Sequence, residues 1–157
     1  MPVHLPSGIA LSIAYLLMAG SAEAAEANFT FNSARRDVRA DPDGIWTGDA
    51  FAGGKASIFN YEMRSGAGSL IVSQIWNEDC SSSVCPTRLV RLESDGRRIV
   101  LVDDMMHQVV PPNDPRFAGL PKSAEQAEYE RHPFRLSQDG KKLLNDDFSF
   151  DIDESKP

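Results

Sequence analysis

The chain has few of the residues from which catalytic and nucleic-acid-binding sites are usually built. It contains three histidines in 157 residues, and 23 acidic residues outnumber 16 basic ones, so that the formal net charge is −7. A nucleic-acid-binding protein normally presents a basic stripe, which this composition does not offer. The sequence also lacks a G-x-S-x-G nucleophile elbow and a lysine-containing phosphate loop. We therefore expect a chain that is not an enzyme, binds no nucleic acid and carries no cofactor.

No apolar run in the sequence approaches the length of about 20 residues that a membrane-spanning helix needs. The run Gly8–Ala19 is about 12 residues long and is followed by two A-x-A sequences, Ala22-Glu23-Ala24 and Ala25-Glu26-Ala27. This order is typical of a secretory signal peptide, although no Lys or Arg precedes Arg35.

This layout predicts a signal peptide over residues 1–24, with cleavage possibly as late as residue 27, and a single β-rich domain over residues 25–157. We expect the mature chain to be periplasmic or secreted and to have no membrane span after cleavage.

Only two cysteines are present, Cys80 and Cys85, with four residues between them. In an oxidising compartment such an isolated close pair is expected to form a disulfide. The spacing is neither that of a C-x-x-C redox motif nor that of a zinc site.

The remaining pattern is mostly that of β-strands. Residues 70–76 form a β-branched and aromatic run, and residues 147–153 alternate apolar with polar. The Asp-Gly pairs Asp95-Gly96 and Asp139-Gly140 each lie between apolar runs and predict hairpins. One helix is expected near residues 123–131, because Ser123 and Gln126 have capping-box spacing. We therefore predict a mainly β, single-domain antiparallel barrel or sandwich with one short helix.

A binding surface is the leading functional hypothesis. A disulfide-linked loop beside Trp76 and a proline-rich loop carrying Phe117 are both pre-shaped projections of the kind that interfaces use. Within the first loop, Ser82 and Val84 are candidate contact residues. We expect a small, exported, inhibitor-like or binding module whose partner is another protein or a small ligand of the cell envelope.

Metal handling is the alternative hypothesis. Met105 and His107 offer the soft ligands that suit copper. Asp147, Asp151 and Asp153 would share one face of the last strand and offer oxygen ligands for calcium. The competing interpretation of these aspartates is a solvated strand face, with Phe148, Phe150 and Ile152 turned into the core.

Overall fold

The computed structural model describes residues 26–65, 68–115, 118–153 and 155, with the side chain of Ser65 left out. The predicted signal peptide and Phe117 lie outside the described residues. None of the helices in the described ranges is long and apolar enough to cross a membrane.

Five consecutive strands form an antiparallel sheet in the order β2-β3-β4-β5-β6. Their bounds are β2 Thr30–Val38, β3 Ala56–Ser65, β4 Gly68–Trp76, β5 Val84–Leu92 and β6 Arg98–His107. The predicted run at 70–76 is the interior of β4, the central strand of this sheet.

A second sheet has the order β1-β7-β8-β9 and is also antiparallel. Its strands are β1 Ala27–Asn28, β7 Arg135–Leu136, β8 Lys142–Asn145 and β9 Phe148–Asp151. The two sheets form a sandwich-like, mainly β architecture and not a closed barrel, which confirms the predicted fold class and selects the sandwich.

Both predicted Asp-Gly hairpins are present. Gly96 joins β5 to β6 with a φ of +85°, and Gly140 joins β7 to β8 with a φ of +70°. These dihedrals lie in the left-handed region, where a residue without Cβ is favoured. The similar sequences around the two glycines therefore reflect the same turn requirement.

The main hydrophobic core lies between the two sheets. Phe59, Tyr61 and Leu89 of the larger sheet pack with Phe134 and Leu143 on the other side. The outer face of the larger sheet carries a second cluster, which the segment 39–55 covers with residues such as Trp46. That segment includes a short 3-10 helix, Gly48–Phe51.

The helix α1 spans Ala124–Arg131, in agreement with the prediction for residues 123–131. The Ser123 hydroxyl accepts a hydrogen bond from the backbone N–H of Gln126 at 3.1 Å, which is the predicted cap. No residue of α1 is fully buried, and its Tyr129 packs against the main core as a partly buried side chain.

Candidate functional site

The disulfide between Cys80 and Cys85 is formed, and it closes the loop between β4 and β5. Backbone and side-chain hydrogen bonds hold the same loop. Ser81 donates to the carbonyl of Val84 at 2.9 Å, and Cys80 donates to that of Asn77 at 3.2 Å. The Asn77 side chain donates to the Ala50 carbonyl at 2.9 Å. The loop is therefore fixed at several points besides the cross-link.

Trp76 is directed toward the core and only partly exposed. Its ring packs edge-on against Phe59 with 4.8 Å between ring centroids, and its Nε1 donates to Oε1 of Gln74 at 3.0 Å. These contacts anchor Trp76, the residue directly before the loop, against the core. The exposed residues of the loop are Glu78, Asp79, Ser81, Ser82 and Ser83.

The loop lies next to the C-terminal end of β6. Val84 is the cross-strand partner of His107, and Pro86 is the partner of Met105. Cross-strand partners share a face of the sheet, and so do residues two apart on one strand. Val84, Pro86, Met105 and His107 therefore lie on one face, immediately beside the cross-linked loop.

Phe148 joins this group, contrary to the prediction that it lies in the core. Its side chain is 41% exposed, and its ring lies edge-on to His107 with 4.6 Å between centroids. Phe148 directly follows the turn between β8 and β9, and its ring also stacks on Phe150 with 6.1 Å between centroids. Phe150 and Ile152 do pack against the core, as predicted.

We call the group formed by Ser82, Val84, Met105, His107 and Phe148 the disulfide-end surface. Of the three large apolar side chains that are exposed in the described ranges, two belong to it: Met105 and Phe148. The exposed turn residues Asp146 and Asp147 adjoin it at His107.

A buried hydrogen-bond network supports this surface from inside. The fully buried Asn145 accepts from the backbone N–H of His107 at 2.8 Å and donates to the Tyr129 hydroxyl and the Pro133 carbonyl, each at 3.1 Å. From the other side, Gln74 donates to the His107 carbonyl at 2.9 Å. Buried side chains thus hold both the backbone N–H and the carbonyl of His107. Neither Asn145 nor Gln74 was predicted from the sequence as part of a site.

His107 is also part of a group of potential metal ligands. One ligand atom each from His107, Asp146 and Asp147 lies within 4.8 Å of the others. His107 Nε2 and Asp147 Oδ1 are 3.3 Å apart. Asp146 occupies the left-handed region with a φ of +55°, which the tight turn requires of it.

The other predicted metal ligands lie apart from this group or are differently engaged. Asp151 is exposed and lies 3.5 Å from the Lys142 ammonium, and Asp153 accepts hydrogen bonds from Ser155. Met105 shares its strand face with His107. The structure therefore brings His107 and Asp147 together and separates them from the rest of the acidic row.

Comparisons with protein-family models, with curated proteins and with solved structures gave no match. The class of protein that the fold defines is a small antiparallel β-sandwich with one intrachain disulfide.

Proposed function

We propose that the chain is an exported, non-enzymatic binding module that recognises another protein through the disulfide-end surface. The observation that carries this proposal is the position of Met105 and Phe148. Each of these exposed large apolar side chains neighbours His107, Phe148 by ring contact and Met105 two residues away on the same strand face, and the adjoining loop is held by a disulfide and several hydrogen bonds. Exposed apolar groups next to rigid loops are favourable for binding, because little entropy is lost when the loop is held in place.

Export to the periplasm or to the extracellular medium belongs to the same proposal. The predicted signal peptide and the disulfide both support it, since disulfides persist in oxidising compartments. Sequencing the N-terminus of the protein from the cells that make it tests this part. We expect Ala25 or Asn28 as the first residue, and an intact Met1 would contradict it.

The charge beside the surface suggests the chemistry of the partner. Asp146 and Asp147 are exposed next to His107 and Phe148. A partner that places apolar side chains on Met105 and Phe148, with Lys or Arg around them, would be complementary. An inhibitor-like protein that covers a basic surface of an envelope enzyme fits this description.

A matched pair of substitutions tests the proposal. Ser82 and Ser94 are both exposed loop serines, at opposite ends of the nine-residue strand β5. We expect Ser82→Arg to weaken binding of the partner captured from an envelope extract about tenfold or more, or about 1.4 kcal/mol, and Ser94→Arg to leave it unchanged. Equal affinities of the two variants would contradict the proposed surface.

A divalent metal site is a second candidate function, favoured by the convergence of His107, Asp146 and Asp147. One imidazole and two carboxylates suit a transition ion such as Zn²⁺ or Cu²⁺, with water completing the coordination. Calcium is less well suited, because it takes six to eight oxygen ligands.

Zinc titration by calorimetry tests the second candidate. The described ranges contain two histidines, which supply a control. We expect His107→Gln to abolish zinc uptake if the site binds metal, and His132→Gln to leave it unchanged. No uptake by the wild-type protein, or equal loss in both variants, would exclude the metal site without affecting the protein-binding proposal.

A further inference from the structure

A cleft of about 250 Å³ opens on the outer face of the five-stranded sheet. Its lining includes Leu92 and Arg98, which flank the turn between β5 and β6, whereas the disulfide-end surface lies at the other end of the same strands. Nine residues of β5 at about 3.3 Å each place the two regions about 30 Å apart. The cleft is slightly smaller than the range of about 300–1,000 Å³ that is typical of ligand pockets, so it limits a ligand to a small molecule.

Both acidic residues of the cleft are already engaged by protein donors. Asp43 lies 3.2 Å from Nδ2 of Asn60 and 3.7 Å from the Arg35 guanidinium. Glu62 accepts from the Asn32 amide at 2.6 Å and from the Ser69 hydroxyl at 2.9 Å. The Ser69 hydrogen bond is the main cause that lowers the pKa of Glu62. The cleft therefore has little capacity left for a ligand's ammonium group.

The Arg98 guanidinium, unlike these two carboxylates, is not engaged by a protein partner in the described ranges. This group lies against the backbone of Gly44, where an added Cβ would be 3.7 Å from Nη1. Within the described ranges, the Arg98 side chain makes neither an ion pair nor a hydrogen bond. Its donors are thus available to an anionic group that enters the cleft.

The floor of the cleft holds an unused acceptor and an apolar strip. Asn60 is 5% exposed, and its Oδ1 has no hydrogen-bond partner in the part of the chain that the structure describes. A buried amide oxygen without a partner costs about 1–3 kcal/mol, which a ligand O–H approaching the floor would offset. Ile71 and Leu92 line the same cleft and offer apolar contact.

We propose that this cleft binds a small hydroxylated carboxylic acid of the sugar-acid class. Arg98 pairs with the carboxylate of the ligand. Amide and hydroxyl side chains on the floor of the cleft and on its β2 side contact the ligand's hydroxyl groups, and Ile71 and Leu92 contact its C–H face. This site is independent of the disulfide-end surface, because none of its residues belongs to that surface.

Titration with glucuronate, followed by NMR chemical shifts, tests the proposal, with glucose as the neutral probe of the same shape. We expect saturable shifts at Arg98, Leu92 and Ser33 with glucuronate, and binding of glucose at least tenfold weaker. Arg98→Gln should lose the glucuronate response. The neighbouring Arg97→Gln is the matched control and should retain it, because Arg97 pairs with Asp95 in the turn and does not line the cleft.

Three results would overturn the proposal: no saturable response to glucuronate, equal binding of glucose, or an unchanged response in Arg98→Gln. Because Arg98 is exposed, the substitution should leave folding intact, and an unfolding curve of the variant checks this.

Discussion

At the scale of single residues, Gln74 is the buried polar group on which the strand ends depend. Its Nε2 donates to the Thr87 hydroxyl at 3.0 Å and to the His107 carbonyl, and its Oε1 accepts from Val109 N–H at 2.9 Å and from Trp76. Every hydrogen-bonding position of the amide is used. The sequence around Gln74 does not show what its side chain will contact, because three of its four partners lie 13 to 35 residues further along the chain.

Removing the Gln74 amide should be costly. We expect Gln74→Met, which preserves the length of the side chain, to lower the free energy of unfolding by roughly 3 kcal/mol, because buried backbone groups of Val109 and His107 lose their partners. Chemical denaturation measures the change. Gln138→Met, in an exposed turn, is the control and should stay within about 0.5 kcal/mol of the wild type. A similarly small effect at Gln74 would show that the network is not structural.

Tyr61 differs from Gln74 because its hydroxyl is buried without a partner in the described ranges. The ring packs edge-on against Phe31 and Phe134, and its burial raises the pKa of the phenol above the ordinary 10.0. We expect Tyr61→Phe to retain the ring packing and to change the free energy of unfolding by about +1 kcal/mol or less, since an unsatisfied polar group is removed.

Tyr61→Phe should also reduce the loss of stability in alkali. Below pH 10 the phenol is protonated in both states. Above pH 10 the unfolded chain releases this proton while the folded chain retains it, so stability falls as the pH rises. Burial also raises the pKa of Tyr129 to about 12, so part of the pH dependence of stability remains in the variant. Unfolding curves between pH 8 and 11 check the prediction, and parallel losses in wild type and variant would contradict it.

At the scale of elements, the sequence predicted those strands whose signals are local. The Asp-Gly hairpins and the capped helix follow from dihedral and hydrogen-bonding preferences of a few adjacent residues, and they were found. The strand β2 was not predicted. It contains two adjacent arginines, a positive φ of 53° at Asp37 and two register shifts against β3, so its residues show no clean alternation. Its pairing is set by β3.

The disulfide was predicted from spacing and compartment, and its energetic contribution should be small. Because it closes a loop of only a few residues, we expect replacement of both Cys80 and Cys85 by Ser to lower the free energy of unfolding by about 2 kcal/mol. The hydrogen bond from Gln108 N–H to the Ser83 carbonyl, at 2.8 Å, still connects the loop to the end of β6. Denaturation of the double variant measures the cost, and failure to fold would show that the cross-link contributes much more than this.

At the scale of the whole molecule, the sequence could name candidate residues without showing which of them meet. His107 and Asp147 are 40 residues apart, and they come together because Asn145 holds the turn between β8 and β9 to the end of β6. Phe148 was assigned to the core by alternation, which predicts a face of a strand but not where the opposing sheet ends. The disulfide-end surface is therefore a property of the packed sandwich.

Hydrogen exchange of the complex tests the disulfide-end surface without any substitution, because it maps the contact on the wild-type chain. The protein is bound to the partner captured from an envelope extract, and amide exchange is compared with that of the free chain. We predict slower exchange in 78–85, 105–108 and 146–149, and unchanged exchange around the turn at 93–98. Protection confined to 93–98 or to the cleft around Ile71 and Leu92, with the disulfide loop unaffected, would contradict the proposed surface.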